Sequence, residues 1–105
     1  MNFRGGMNEL MRQAARMQRK IEQVKEAVRD KEITAGAASD KVKATVTYAR
    51  RVVRIDIDPE FLKNEGLELA LDGACAALNS ALEQADKAME AEVDKVTGGV
   101  KLPGM

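Results

Sequence analysis

The stretch that decides the fold is residues 7–28, MNELMRQAARMQRKIEQVKEAV. Its apolar residues recur at alternating spacings of three and four, and they are Met7, Leu10, Ala14, Met17, Ile21, Val24 and Val28. This heptad seam has a period of about 3.5 residues and predicts one long amphipathic helix, roughly 33 Å in length. The rest of the chain must supply whatever covers the seam.

Charge is uneven on the other faces of this predicted helix. Between Glu9 and Glu22 every charge is positive, and these residues, named here the basic ridge, are Arg12, Arg16, Arg19 and Lys20. Arg can bond phosphate oxygens in a bidentate manner, so four consecutive positive charges over about three turns suit a phosphate backbone. A solvated helix face with no ligand is the alternative interpretation.

The whole chain has 105 residues and a formal net charge of zero, with 17 basic and 17 acidic side chains. One domain spanning residues 1–105 is therefore expected, and coating of nucleic acid by bulk charge alone is disfavoured. The charge is nevertheless segregated along the chain. Residues 1–31 carry eight basic and four acidic side chains, whereas residues 60–105 carry four basic and nine acidic ones.

Residue types limit the chemistry that the chain can perform. The sequence has no His and one Cys, Cys75, which excludes an intrachain disulfide and a Cys/His metal site. Asp56 and Asp58 could form a carboxylate pair, but a helix cap at Asp58 and a solvent-facing Asp56 beside Arg54 are the simpler interpretation. We expect no enzyme activity, cofactor, metal or small-molecule substrate, and we expect Cys75 to be packed.

No apolar run approaches the ~20 residues of a membrane span, and the N-terminus lacks the continuous apolar stretch of a signal peptide. A lone thiol is typical of a reducing compartment. We therefore expect a soluble cytoplasmic protein with no membrane partner.

The remaining pattern predicts strands at 32–34, 42–48 and 52–57, a loop at 35–40 and a second long helix after Gly66. Between the last strand and that helix, Asp58 as N-cap and Pro59 at the first helical position predict a single helical turn through Phe61 and Leu62.

The second strand is predicted to be half-buried, with Val42, Ala44, Val46 and Tyr48 on the core face and Lys43, Thr45 and Thr47 on the other. In the third strand Val53, Ile55 and Ile57 share the core face, and the register of the hairpin between the two strands stays open. The predicted stripe of the last helix is Leu67, Leu71, Ala74, Leu78, Ala81, Ala85, Met89, Val93 and Val96, and Gly98 ends it.

The fold class is therefore α+β, in the order α-β-β-β-α, with a small antiparallel sheet flanked by two long helices. Residues 1–6 and 98–105 are expected to be flexible ends. Because a sheet of two or three strands is marginal alone and the first helix is too long for it to cover, we expect a homodimer.

Four segments of the sequence together resemble the YbaB/EbfC family of bacterial nucleoid-associated proteins. They are residues 3–18 with FRGGM, LMRQA and MQ; EIT at 32–34; VKATV at 42–46 with IDIDP at 55–59; and TGGVKLPGM at 97–105. The resemblance implies small homodimers that bind DNA and contribute to nucleoid organisation, with helices projecting from a central sheet like tweezers. Many members have Asn-Gly where this chain has Thr47-Tyr48, so the hairpin turn is expected to differ.

The sequence and the resemblance together predict a non-catalytic homodimer that binds double-stranded DNA in the bacterial cytoplasm and nucleoid. The basic ridge would contact phosphates, and Arg4, ahead of Gly5 and Gly6, would add a flexible contact. The acidic C-terminal half would repel DNA and so orient the dimer. A protein-interaction adaptor with an incidental basic surface is the alternative function.

Overall fold

The computed structural model describes residues 3–98. Its elements follow the order α-β-β-β-α-α, namely α1 (Phe3–Val28), β1 (Glu32–Ala37), β2 (Val42–Thr47), β3 (Val52–Ile57), α2 (Pro59–Glu65) and α3 (Leu67–Thr97). The predicted α+β class and the antiparallel three-stranded sheet are confirmed. Residues 1–2 and 99–105, part of the ends that we expected to be flexible, lie outside the described residues.

Helix α1 begins at Phe3, four residues before the start of the predicted helix, and ends at Val28. Gly5 and Gly6 are therefore helical and do not form a lead-in segment. The seam is covered only toward its C-terminal end, where Ile21 and Val28 are buried. Met7 and Leu10 remain 65% and 66% exposed, so residues 3–98 leave the seam open along the N-terminal half of α1.

The sheet has the order β1-β2-β3, with β2 at its centre. Val42, Ala44 and Val46 are fully buried on one face of β2, as the alternation predicted. The strand is not half-buried, however, because Thr45 and Thr47 on the other face are buried as well, and it ends at Thr47, before Tyr48. Strand β1 continues to Ala37, so the loop predicted from residue 35 begins later than expected. Residues 38–40 then turn the chain with positive φ angles of 53°, 54° and 65°.

The register of the second hairpin contains an irregularity between Thr45 and Val46. Thr45 pairs with Arg54, but Val46 pairs with Val52, so Val53 has no partner in β2. Val52 therefore lies on the face of the sheet where the sequence predicted Val53. A bulge of this kind places one extra residue in one strand and shifts the alternation beyond it. At the turn, Thr47 N–H donates to Arg51 O at 2.8 Å, and Arg50 adopts a φ of 70°.

Asp58 and Pro59 begin α2 as the sequence predicted. The Asp58 side chain accepts hydrogen bonds from the backbone N–H groups of Glu60 (2.8 Å) and Phe61 (3.1 Å), which no intrahelical acceptor could satisfy. The helix is longer than the single turn that we expected, and it ends at Gly66, whose φ is 89°.

Helix α3 covers the sheet with a stripe of alanines, which allows the helix to lie close to the strands. Its buried residues are Ala70, Ala74, Ala77, Ala81, Ala85, Val93 and Thr97. The predicted stripe was wrong at its start, because Leu67 and Leu71 are exposed, and Cys75, expected to be packed, is also exposed. Gly98 ends the helix in the left-handed conformation, with its N–H bonded to Asp94 O at 2.8 Å.

The two long helices extend the molecule well beyond its sheet. Gly73 of α3 contacts Val42 at the start of β2, and Asp86 pairs with Arg50 beyond its end, so α3 runs along β2 and past the hairpin. The C-terminal end of α1 lies at that same end of the sheet. From there α1 packs mainly against α3, and its N-terminal part projects away from the sheet. The resulting shape is 76 × 20 × 17 Å. We name the sheet, α2 and α3 the body, and residues 6–20 of α1 the arm.

Candidate nucleic-acid interface

The basic ridge lies on the arm, and all four of its residues are exposed. Arg12, Arg16 and Arg19 follow one another at spacings of four and three residues, so they share one side of the helix. Arg12 lies 3.8 Å from Glu9 in an ion pair whose members are both largely exposed, which is a weak interaction. Within residues 3–98, Arg16, Arg19 and Lys20 form no ion pair, and their charges face solvent.

The ridge and the seam lie on opposite sides of the arm. With about 100° of rotation per residue, the mean direction of the four basic residues is roughly 150° from that of Met7, Leu10, Ala14 and Met17. A ligand seated on the ridge therefore does not contact the seam. The arm presents two separate surfaces, one basic and one apolar.

Arg4 lies in the first turn of α1, inside the helix and ahead of the arm. Its Cα is about 12 Å from that of Arg12 along the helix axis, from the rise of 1.5 Å per residue. The backbone at Arg4 is helical, where the sequence predicted a lead-in segment, and a contact from Arg4 to DNA stays a prediction.

The C-terminal half of α1 carries further basic residues, but they belong to a surface of mixed charge. Lys25, Arg29 and Arg50 line an open cleft between α1, the second hairpin and α3, together with Glu22, Glu26 and Asp86. Arg50 forms a short ion pair with Asp86, and Arg29 lies 3.4 Å from Glu26. The acidic side chains balance the positive ones, so this cleft does not extend the ridge.

The carboxylates considered for catalysis have structural partners. Asp56 accepts a hydrogen bond from Arg54 Nε at 3.0 Å, and Asp58 caps α2. The described part of the chain holds no cluster of side chains suited to a metal ion. Nor does any helix within residues 3–98 have the length and apolarity needed to cross a membrane.

A second surface was missed by the sequence interpretation. We name it the apolar end; it consists of exposed aliphatic residues of β3, α2 and the start of α3: Val52, Val53, Ile55, Leu62, Leu67 and Leu71. Leu69 is also exposed, but at about 100° of rotation per residue it lies on the opposite side of α3 from Leu67 and Leu71. It is uncovered because α3 packs over β1 and β2 and barely reaches β3. The sequence placed Val53 and Ile55 on the core face of β3, but they are 42% and 41% exposed, so their predicted burial was wrong. The alternation indicated an apolar face, but it did not indicate that α3 barely reaches this strand.

Fold and surfaces together define a class: a small α+β protein whose body carries an exposed helical arm with a basic side. The model of the YbaB/EbfC DNA-binding family matches residues 3–100, and the chain belongs to this family. A nucleoid-associated protein of Acetivibrio thermocellus is 36% identical over 104 residues, covering 98% of this chain and 92% of the relative.

A nucleoid-associated protein of Clostridium kluyveri is likewise 36% identical, over 106 residues, covering 99% of this chain and 93% of the relative. The crystal structure of the uncharacterized protein HP0035 from Helicobacter pylori has the same fold. The TM-score is 0.69 at 18% sequence identity, with 93% of this chain and 99% of that chain covered.

Proposed function

We propose that this chain binds double-stranded DNA as a homodimer, mainly through the phosphate backbone, and helps to organise the bacterial nucleoid. The observation that carries the proposal is the basic ridge: four exposed cations on one helical arm, in a chain of zero net charge. Membership of a DNA-binding family and the names of the nucleoid-associated relatives support the same function.

Phosphate contacts are favoured over base reading because of the residue types on the ridge. Arg and Lys that project from one helix side can each reach phosphate oxygens, and such contacts fix the position of a protein on the duplex without reading its bases. The body would face away from DNA, since α3 carries seven acidic side chains and two basic ones. Arg4, in the first turn of α1, is proposed as an additional contact.

Dimerisation is supported by the apolar end. Leu67 is 63% exposed and Ile55 41%, and such clustered aliphatic side chains indicate a protein interface. Strand β3 is an edge of the sheet, with one row of backbone N–H and C=O groups free to pair with another strand. Two-fold pairing through β3 and the start of α3 would bury both features at once.

This arrangement leaves both arms free. The start of α3 bears Leu67 and Leu71, whereas the arm extends beyond the other end of α3, about 45 Å away from the rise per residue. Each dimer would thus present two separate basic ridges. We propose that residues 1–105 act as one such domain, without catalysis, in the cytoplasm at the nucleoid.

A DNA-binding titration tests the function directly. Gel-shift titrations on two duplexes of unrelated sequence, each at 50 and 200 mM salt, should give similar affinities that fall steeply with salt. Sedimentation of the same sample should show a dimer. Absence of a shift at low salt would exclude DNA binding, and a stable monomer would leave the apolar end available to another protein, as the adaptor function requires.

A further inference from the structure

The apolar side of the arm is open within residues 3–98. Met7, Leu10 and Met11 are each about two-thirds exposed, and Ala14 beside them is exposed as well. A solitary helix of about 15 residues is only marginally stable in water, and it gains stability mainly by packing its apolar side against another element. DNA on the basic ridge would lie on the opposite side of the arm, so it would leave the seam free.

The seam has the pattern of a helix pair. Its apolar residues alternate strictly at spacings of three and four, which places them at positions a and d of successive heptads, and one facing helix covers such a stripe. The C-terminal half of the seam is already buried, at Ile21 and Val28, where α1 packs against α3. The N-terminal half continues the same stripe beyond α3, so it suits a second helix.

The positions that flank the seam carry no charge along the arm. In the heptad pattern these are positions e and g, which lie beside the facing helix and influence by their charges which helices pair. Between residues 6 and 18 they are Gly6, Met11, Gln13 and Gln18. Lys20 is the one ridge residue at a flanking position, and it lies beyond Met17, the last seam residue of the arm. A second copy of the arm therefore meets no like charge across residues 7–17 of the seam.

The two ridges would be far apart in such a pair. Packed helix axes lie about 8–10 Å apart, and each ridge points away from the other helix, so the cationic groups of the two arms are separated by roughly 20 Å. The Debye length at physiological salt is about 8 Å, so repulsion between the ridges is largely screened. Both ridges stay open to solvent on the outer sides of the pair.

Side-chain volumes favour an antiparallel pair. If two arms cross at the level of residue 12, Leu10 of each arm faces Ala14 of the other, and Met7 faces Met17. A large and a small side chain then share each central layer and fill it together. A parallel pair would set Ala14 against Ala14 and leave a void in that layer.

Gly6 gives a further reason for a second helix. Among the described residues, a Cβ atom at Gly6 would meet no atom within 4 Å, so packing inside the protomer does not require a glycine here. A glycine inside a helix is nevertheless unfavourable for the helix. Its position beside the seam allows another backbone to approach closely.

We propose that the arm is a second self-association surface, at which two copies of this chain pair antiparallel through residues 7–17 and so link one dimer to the next. Six large apolar side chains, three from each arm, bury much less than the roughly 800 Å² per partner of a standard interface, so the arm pair is weak and depends on concentration. The linking of dimers rests on the proposed pairing at the apolar end, whereas the arm pair itself depends neither on that interface nor on DNA.

Disulfide trapping between two single-cysteine forms tests the arm pair in the full chain, with Cys75→Ala as background. Leu10→Cys mixed with Ala14→Cys should form a mixed disulfide on oxidation, because these positions face each other in the antiparallel pair. Leu10→Cys mixed with Ala15→Cys, which lies one residue further round the helix and off the seam, should form at least tenfold less. The trapped product should sediment with at least twice the mass of the reduced sample.

Sedimentation without introduced cysteines provides a second readout. The average mass of the unmodified chain should rise with concentration above its value in dilute solution. Leu10→Gln with Met11→Gln should raise the concentration needed for this increase at least tenfold, because two apolar residues of the pair become polar. The matched variant Asn8→Gln with Ala15→Gln, at exposed positions off the seam, should shift it less than twofold. Circular dichroism reports that both variants stay folded.

A mixed disulfide between residues 10 and 14, with weaker association of the Leu10→Gln and Met11→Gln variant, supports the proposal. Equal yields with residues 14 and 15, a trapped product of unchanged mass, or a constant mass at all concentrations would overturn it. So would a disulfide that forms best between two copies of Ala14→Cys, since it indicates a parallel pair. A failure to bind DNA would alter none of these results. A monomeric reduced sample would exclude the dimer at the apolar end, and the doubling of mass on trapping would still report the arm pair.

Discussion

Gly73 of α3 lies against Val42 of β2 so closely that a Cβ atom at residue 73 would be 3.0 Å from Val42 Cγ2. Val42 is fully buried and cannot move without disturbing the alanine stripe around it. The missing side chain thus sets the distance between helix and sheet at the start of β2. A helical glycine is unfavourable for the helix itself, so close packing is the reason that it fits here.

Gly73→Val should destabilise the protein by about 1–3 kcal/mol, because overpacking against Val42 outweighs the small gain in helix propensity. Ala76→Val places the same side chain at an exposed position of α3 and should cost only about 0.5 kcal/mol. Urea denaturation followed by circular dichroism measures both. Equal stabilities of the two variants would show that residue 73 has room for a side chain.

The sequence predicted correctly the helix ends that are determined by the residues at those ends themselves. Asp58-Pro59 begins a helix because the Asp carboxylate caps it and Pro needs no hydrogen-bond partner there, and Gly98 ends one because it accepts a positive φ. The alternation in β2 predicted its buried face correctly, since that strand is central and covered by α3.

Hydrophobic periodicity predicted burial incorrectly at positions where burial depends on whether another element covers that side of the helix or strand. Leu67 and Leu71 share a side of α3 with buried residues, yet the sheet does not extend far enough to cover them. The register shift between Thr45 and Val46 lies near a turn in which Arg50 has a positive φ although it is neither Gly nor Asn, so no typical turn residue indicated this geometry. On the arm, the charge pattern predicted an exposed ridge. How much of the seam stays exposed depends on the position at which α3 ends, which the pattern of α1 does not indicate.

Two aspartate substitutions on the core face of the sheet should have different outcomes. Val46 is fully buried inside the protomer, so Val46→Asp buries an unpaired charge and should unfold the chain, at a cost of several kcal/mol. Ile55 is 41% exposed at the apolar end, so Ile55→Asp should dissociate the dimer while leaving the protomer folded. Circular dichroism and analytical ultracentrifugation at micromolar concentration distinguish the two. A folded dimer of Ile55→Asp would place the interface elsewhere.

Cys75 offers a probe of the same interface. The protomer exposes this thiol one helical turn from Leu71, so burial in the native protein must come from a partner. We expect slow labelling by a thiol reagent in the dimer and fast labelling after dissociation by Ile55→Asp. Equally fast labelling of both species would show that this side of α3 lies outside the interface.

Substitutions in the basic ridge should change the salt dependence of DNA binding by a predictable amount. If all four residues contact phosphates in both protomers, up to about eight contacts form, and counterion release gives a slope of log affinity against log salt near −7 as an upper bound. Arg12→Ala with Arg16→Ala removes half of these cations and should flatten the slope toward about half of its value. The exposed positions of both residues mean that folding and dimerisation should persist.

The loss of affinity should also be similar on unrelated DNA sequences, because phosphate contacts carry no base information. The matched control is Lys25→Ala with Arg29→Ala, which removes the same charge from the mixed-charge cleft, where Arg29 already pairs with Glu26. It should change affinity and slope less than the ridge variant does. Fluorescence anisotropy over a series of salt concentrations measures both quantities. Unequal losses between sequences would indicate base reading by the arm, and full affinity in a folded, dimeric ridge variant would place the DNA surface off the arm.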